Sequence, residues 1–184
     1  LEWVELHNQM AINMDLTGWR LSGGMAYHFP DGTVIPGNGY LVVAANPEAL
    51  QEATGFAEAL GPFQGRLDTA GEEIELRNNS NRIMDIIDYG DLDRWPVGPD
   101  GYGATLAKRS VHLATAEPRS WTTSGQMEGT PGAENFPAGE TRPATVLLNE
   151  LSAAWANPFL VELVNTSSEP LELEGYTLYS SANE

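Results

Sequence analysis

The densest group of chemically active side chains in this sequence is acidic. Asp85, Asp88, Asp91 and Asp93 lie within nine residues, and carboxylate oxygens are the ligands that Ca²⁺ prefers. Residues three apart in a strand face opposite sides, so Asp85 and Asp88 diverge, and only the loop pair Asp91 and Asp93 can converge on one ion. The segment also lacks the glycine and the closing glutamate of an EF-hand. We therefore prefer an ordinary solvated turn, and Ca²⁺ is the one cofactor that the sequence leaves open.

Catalytic constellations are missing from the sequence. His7, His28 and His112 fall in different strand-like segments, and none has a metal-type spacing to another. Neither a GxSxG elbow nor an HExxH motif occurs, and a chain without cysteine has no thiol nucleophile. The segment GPDGYG at 98–103 lacks the lysine of a phosphate loop and carries an aspartate that would repel phosphate. These observations predict that the protein is not an enzyme.

Three aromatic residues form the candidate ligand-binding set. Trp95, Tyr102 and Trp121 lie in turn-rich segments, where a large ring has few strand neighbours to pack against. Exposed rings of this kind stack on sugars or anchor a protein partner. The alternative is that the three rings close one end of the fold.

Strand-like runs alternate with turns along most of the chain. In EIELR at 73–77 the period is two, which is typical of a strand with one solvated face. Turn residues separate the runs, as in PDG at 30–32, PGNG at 36–39 and NNSN at 78–81. This pattern predicts an all-β protein of about seven strands, arranged as a two-sheet sandwich. The predicted strands are Trp3 to Leu6, Trp19 to Leu21, Ala26 to Phe29, Tyr40 to Ala44, Glu72 to Arg77, Arg82 to Tyr89 and Ala104 to Arg109.

One segment departs from the β pattern. Asn46 is a good N-cap residue, Pro47 suits the first helical position, and helix formers follow. We expect a short helix of about two turns near residues 47–53.

A long internal repeat predicts the domain organisation. Residues 2–22 align with residues 159–179 without a gap at a spacing of 157, so that Val4, Glu5 and Asn8 recur as Val161, Glu162 and Asn165. A period this long indicates tandem domains rather than the stacked units of a solenoid. We expect a first module at 1–136, a linker at 137–144 and the start of a second copy at 145–184. The sequence then corresponds to an excerpt of a longer multidomain protein.

Composition limits the partners. Nine basic residues against 26 acidic ones give a net charge of −17, which repels nucleic acid and anionic lipid. No run of 18 apolar residues is present, so membrane insertion is not expected. The absence of cysteine is compatible with secretion.

An ordered set of short motifs resembles the lamin tail domain, an immunoglobulin-like sandwich of nuclear lamins and many bacterial exported proteins. The resemblance covers residues 1 to about 136 and restarts near 145. Its tail end, WP followed by TPGxxN, is similar to the bacterial branch. The resemblance implies an immunoglobulin-like β-sandwich without a conserved catalytic set. The motifs are EWVELHN at 2–8, DLTGWRLS at 15–22, YHFPDGTVIPGNGYLVV at 27–43, GEEIELRN at 71–78, DIIDYG at 85–90, WP at 95–96, WTTS at 121–124 and TPGAEN at 130–135.

The first module departs from the family at its start. It lacks the first strand that the resemblance implies, whereas VLLNEL at 146–151 resembles that strand in the second copy. One sheet of the first module would then have an unpaired edge. We expect Val146, Leu147, Leu148 and Leu151 to form a strand-completion interface, within one chain or between two.

The sequence as a whole predicts a non-catalytic β-sandwich module of a larger exported or cell-surface protein. Its expected role is adhesion, spacing or protein interaction, with a protein or a surface polymer as partner and self-association through strand pairing as a further route. The alternative is a carbohydrate-binding or ligand-binding accessory domain of an extracellular enzyme, for which the three aromatic rings would form the platform.

Overall fold

The computed structural model describes residues 1–91, 94–96, 98–99, 103–137, 146–152, 158–173 and 178. The chain separates into a first unit, Leu1–Asn135, and a second unit, Phe136–Leu178. The strands of the first unit are β1 Trp3–His7, β2 Met14–Asp15, β3 Arg20–Gly23, β4 Met25–His28, β5 Val34–Ile35, β6 Tyr40–Ala44, β7 Gln64–Gly65, β8 Gly71–Arg77, β9 Ile83–Gly90, β10 Leu106–Lys108 and β11 Trp121–Thr123. Its helices are α1 Pro47–Thr54 and a single 3₁₀ turn at Pro118–Ser120.

One layer of the first unit is a five-stranded sheet with the order β7-β4-β3-β8-β9, and its strand pairs are antiparallel. The alternation predicted for β8 is present. Ile74 is buried and Leu76 packs on the core, whereas Glu73, which precedes Ile74, and its register partner Asp88 are exposed. This sheet therefore has one apolar face and one solvated face.

The other layer contains two antiparallel strand pairs, β1 with β6 and β10 with β11. β2 and β5 form a separate short antiparallel ribbon. Val4 and Leu6 of β1, with Leu41 and Val43 of β6, contact the apolar face of the five-stranded sheet. The core between the layers is centred on Leu16, Leu21, Met25, Phe29, Ile35, Val43, Phe63 and Ile74.

Helix α1 covers the outer face of the β1–β6 pair. The Asn46 side chain accepts a hydrogen bond from the Ala49 N–H at 2.9 Å, and Gly55 ends the helix in the left-handed conformation with φ 79°. Leu50 is fully buried beside Val42 and Ala44, with Trp3 packed against the same cluster. The predicted short helix is confirmed, and it ends one residue later than expected.

The second unit contains two described strands, β12 Val146–Leu151 and β13 Val161–Asn165, which pair antiparallel. The register is interrupted by a bulge between Leu148 and Glu150. Large apolar side chains of this hairpin are exposed, among them Leu148 at 60% and Leu151 at 57%.

The all-β, immunoglobulin-like sandwich with one short helix is confirmed. The seven predicted strands correspond to β1, β3, β4, β6, β8, β9 and β10, while β2, β5, β7 and β11 were not predicted. These four are two or three residues long, too short to show a period of their own. Among the described residues, no helix is long and apolar enough to cross a bilayer.

Candidate functional site

A cavity of about 510 Å³ opens in the first unit between β1 and β10. Consecutive residues of β1, Trp3 to Glu5, form one wall, and Leu106 and Lys108 of β10 form part of the opposite wall. Ile74 and Ile87 of the five-stranded sheet line it as well, together with Tyr89. The cavity therefore lies within the sandwich layer that contains β1, over the apolar face of the other layer.

Among the carboxyl groups that line this cavity, that of Glu5 has the largest shift in pKa. Its carboxylate accepts a hydrogen bond from the Gly132 N–H at 2.6 Å, which ties β1 to the 130–135 segment. Burial raises the pKa of Glu5 from 4.5 to about 7, and the hydrogen bond from Gly132 opposes this rise. A carboxyl group with such a pKa exchanges its proton near neutral pH.

Lys108 lies on the other wall, beside Trp121. Its ammonium group donates a hydrogen bond to Thr115 Oγ1 at 3.0 Å and is 5.9 Å from the centre of the Trp121 ring, a cation–π distance. The Thr115 hydroxyl in turn donates to Asp85 Oδ2 at 2.8 Å. Burial lowers the pKa of Lys108, and the negative charge of Asp85 opposes this change. These contacts hold the 111–117 turns against β9 and β10.

Three other polar side chains of the cavity bond to backbone groups of other segments. Glu2 accepts from the Leu67 N–H at 2.9 Å, and Tyr89 donates to the Asp68 carbonyl at 2.8 Å. Burial raises the pKa of the Tyr89 phenol, and the charge of Glu72 adds to the rise. Asn135 donates to the Lys108 carbonyl at 3.2 Å. Each of these groups fixes one chain segment to another, which is a structural use of a polar side chain.

Both strands beside the cavity have an edge without a partner strand among the described residues. Hydrogen bonds from Asn8 N–H to the Gly39 carbonyl and from Ala45 N–H to the Glu2 carbonyl fix which residues of β1 face β6. Because the bonding alternates along an antiparallel pair, the backbone groups of Trp3 and Glu5 point to the other edge. On β10, hydrogen bonds between residues 109 and 120 and between residues 124 and 105 likewise turn the backbone groups of Leu106 and Lys108 away from β11.

The structure describes two of the three predicted aromatic residues. Trp121 is half-buried on the cavity wall, and its indole N–H donates to the Thr115 carbonyl at 2.8 Å. Trp95 is half-buried outside the cavity lining, where its ring lies against Gly90. Tyr102 lies outside the described residues, so a shared platform of three rings stays a prediction.

The predicted calcium pair is described only in part. Asp91 is half-buried at the cavity, and Asp93 lies outside the described residues. Within the part of the chain that the structure describes, no group of three or more His, Asp or Glu side chains is arranged to hold a metal ion. The Asp91 and Asp93 site stays a prediction.

His7 and His28 lie in strands, as predicted, whereas His112 lies in a turn and not in a strand. His7 is on β1, with its ring 4.7 Å from the Tyr40 ring, and its Nδ1 atom is buried without a hydrogen-bond partner. Burial lowers the pKa of His7, and the charges of His112 and Lys108 lower it further. Gln9, two residues after His7, donates a hydrogen bond to the carbonyl of Val111, the neighbour of His112, at 2.6 Å.

The predicted strand-completion residues all lie in β12, where each is paired with a residue of β13. They are Val146, Leu147, Leu148 and Leu151. Sequence reasoning did not single out Glu5 or Lys108. Glu5 carries one signal, its recurrence as Glu162 in the repeat, whereas Lys108 has none because its partners come from distant turns.

The fold and the cavity define a β-sandwich module whose half-buried polar side chains connect its own segments. Residues 1–91 match the model of the Lamin Tail Domain family, which supports placing the first module in that family. The match covers β1 to β9 and ends before β10, so the motifs at 95–135 and the second copy lie beyond it. Comparison with curated proteins and with solved structures yields no significant match.

Proposed function

We propose that this chain is a non-catalytic interaction module of a larger exported or cell-surface protein, and that it serves adhesion, spacing or protein binding. The observation that carries the proposal is the use of the cavity's polar groups. Glu2, Glu5 and Asn135 each bond to the backbone of a distant segment. A catalytic site instead directs its acid, base or nucleophile at a substrate.

The Lamin Tail Domain match supports the same conclusion, because domains of this family are immunoglobulin-like protein-interaction modules. A net charge of −17 keeps a protein soluble at high concentration and disfavours nucleic acid as a partner. The bacterial branch of the family is proposed on the TPGAEN and WP motifs of the sequence alone.

The tandem arrangement is supported by a turn that both copies share. Asn8 accepts from the Met10 N–H at 3.0 Å and donates to the Ile12 carbonyl at 2.8 Å. Asn165 accepts from the Ser167 N–H at 2.9 Å and donates to the Glu169 carbonyl at 2.8 Å. The same side chain therefore makes the same local bonds at both positions of the repeat.

The experiment that tests the function is a parallel screen of the whole chain for binding and for turnover. Immobilised glycans, surface polymers and extracellular proteins are tested for saturable binding, and a panel of hydrolase substrates is tested for product. We expect binding without turnover. Turnover that is lost in Glu5→Gln or Lys108→Met would refute the non-catalytic assignment.

A second experiment tests the location. Intact cells of the source organism are treated with an external protease and probed with antibodies against residues 1–135. Loss of the signal is the expected result. A signal that is lost only after the cells are lysed would overturn the surface assignment.

The carbohydrate-binding alternative has a narrower test. Trp121 already has Lys108 near its ring and a hydrogen bond on its indole nitrogen, which favours a packing role for this ring. Replacing Trp95 or Trp121 by Ala, with Trp19→Phe as an aromatic control outside the set, decides whether glycan binding depends on either ring.

A further inference from the structure

The loop between β1 and β2 exposes two large apolar side chains. Met10 is 51% exposed and Ile12 is 65% exposed. Residues 9–13, which form the loop, contain no charged side chain. Single apolar residues are common on protein surfaces, so exposure alone does not assign a function to them. The backbone of the loop, the segment that repeats it and the charges beside it supply the further evidence.

Hydrogen bonds fix the backbone of this loop. The Asn8 side chain donates to the Ile12 carbonyl at 2.8 Å, and the Asn38 N–H donates to the Met10 carbonyl at 2.8 Å. A Cβ atom at Gly37 would lie 2.4 Å from the loop backbone, so no side chain fits between the two segments. The loop therefore packs on the turn that leads into β6, the paired neighbour of β1. A surface whose conformation is fixed before binding loses less entropy when it binds.

The matching turn in the second unit forms without apolar side chains. At the spacing of 157 residues, Ser167 and Glu169 occupy the positions of Met10 and Ile12, and the two bonds of the Asn165 side chain repeat those of the first turn. The Ser167 hydroxyl also lies within hydrogen-bond distance of Asn165 Oδ1, at 2.7 Å, and of the Glu169 carbonyl, at 2.9 Å. Methionine has no hydroxyl to replace these contacts, so the turn does not explain the presence of Met10.

Basic side chains border the loop. The Gln9 side chain donates to the Val111 carbonyl at 2.6 Å, which brings the turns after β10 next to the loop. These turns contain Arg109 and His112, both exposed, and Leu113, which is 41% exposed. No acid occurs in residues 109–114, although the chain as a whole has a net charge of −17. The loop therefore lies beside a local surface that attracts carboxylates, whereas the overall charge of the protein repels them.

We propose that Met10 and Ile12 form a docking site for an acidic segment of a partner protein. Apolar side chains of the segment contact the loop, and its carboxylates contact Arg109 and His112. The proposal rests on the interaction function above and names its site and the chemistry of its partner. Two side chains cannot supply the roughly 800 Å² per partner of a standard interface, so the contact suits a short segment. In a loop-to-loop contact of two copies, the same basic residues would face each other and repel.

A peptide library tests the site and the partner chemistry together. Phage-displayed random peptides are selected on the immobilised whole chain. The matched variant is Met10→Ser/Ile12→Glu, which introduces the residues that the repeat has at these positions. We expect the selected peptides to combine apolar residues with Asp or Glu, and to bind the variant about tenfold more weakly than the natural chain.

The selection has two outcomes that overturn the proposal. Peptides that bind the natural chain and the variant equally would refute the site. Selected peptides without acidic residues would refute the partner chemistry. Either result leaves the screen of glycans, surface polymers and proteins unaffected, so this proposal and the proposed function fail separately.

A charge variant tests the role of the basic border. Arg109 Nε donates to the Trp121 carbonyl at 3.1 Å, and Arg109→Gln keeps a side-chain N–H while it removes the charge. We expect the selected acidic peptides to bind this variant several-fold more weakly at low salt, and to lose part of their salt dependence. Equal binding of the natural chain and Arg109→Gln at every salt concentration would contradict the proposed contact with carboxylates.

Three measurements on Met10→Ser/Ile12→Glu separate docking from other uses of the loop. Its urea midpoint is expected to equal or exceed that of the natural chain, because the serine hydroxyl can join the turn, and a lower midpoint would show that the replaced side chains stabilise the fold. Self-association of the natural chain in analytical ultracentrifugation that the variant loses would assign the loop to a second copy. Co-sedimentation with phosphatidylcholine vesicles that the variant loses would assign it to lipid. Each of these three results would overturn the proposal.

Discussion

The carboxyl group of Glu5 gives the sharpest test of the cavity. Burial raises its pKa from 4.5 to about 7, so the folded protein holds this proton more tightly than the unfolded chain does. A group of this kind stabilises the fold fully below pH 4.5, and the contribution is lost as the pH rises through about 7. Each pKa unit corresponds to about 1.4 kcal/mol, so the loss amounts to about 3 kcal/mol between these limits.

The perturbation is Glu5→Gln, which keeps an oxygen to accept the Gly132 N–H and removes the ionisation. The free energy of unfolding is measured by urea denaturation, followed by tryptophan fluorescence, at intervals from pH 4.5 to pH 8.5. We expect the variant to gain stability relative to the natural chain as the pH rises, by about 3 kcal/mol at the upper end.

Glu162→Gln is the matched control, because it changes the net charge equally at the exposed counterpart of Glu5 in the repeat. We expect its stability to differ from that of the natural chain by less than about 0.5 kcal/mol at any pH in this range. Parallel pH profiles for Glu5→Gln and the natural chain would refute the reasoning, as would a variant that is less stable at pH 8.5.

Two further predictions concern the turn and the helix. Asn8→Ala leaves buried backbone carbonyls without a donor, so it should lower the free energy of unfolding, measured by urea denaturation, by about 2 to 4 kcal/mol. Asn165 makes only local bonds, so Asn165→Ala should lower the free energy of unfolding much less. Asn46→Ala removes the helix cap and should cost about 1 kcal/mol in the same assay, and an unchanged midpoint would contradict the cap.

Features with a local cause could be predicted from the sequence. The helix at Pro47–Thr54 follows from the cap at Asn46 and the proline after it, and β8 follows from its period of two. The ribbon of β2 with β5 could not be predicted, because two-residue strands exist only through the partner they meet.

The burial of the Glu5 carboxyl group could not be predicted from the sequence, for a related reason. A glutamate in an alternating run ordinarily marks the solvated face of a strand. Here that face of β1 is covered by a segment 127 residues further along the chain, whose Gly132 N–H the carboxylate binds. The periodicity of a short segment does not show whether a distant segment of the chain will pack over it.

The two copies of the VELxN segment separate local from long-range causes of structure. Asn165 is exposed and bonds only within its own turn, whereas Asn8 is 3% exposed and also donates to the carbonyls of Ile35 and Pro36. The turn therefore forms with or without the surrounding sandwich. The same holds for the strand before it, which uses one edge for β12 in the second unit and the opposite edge for β6 in the first.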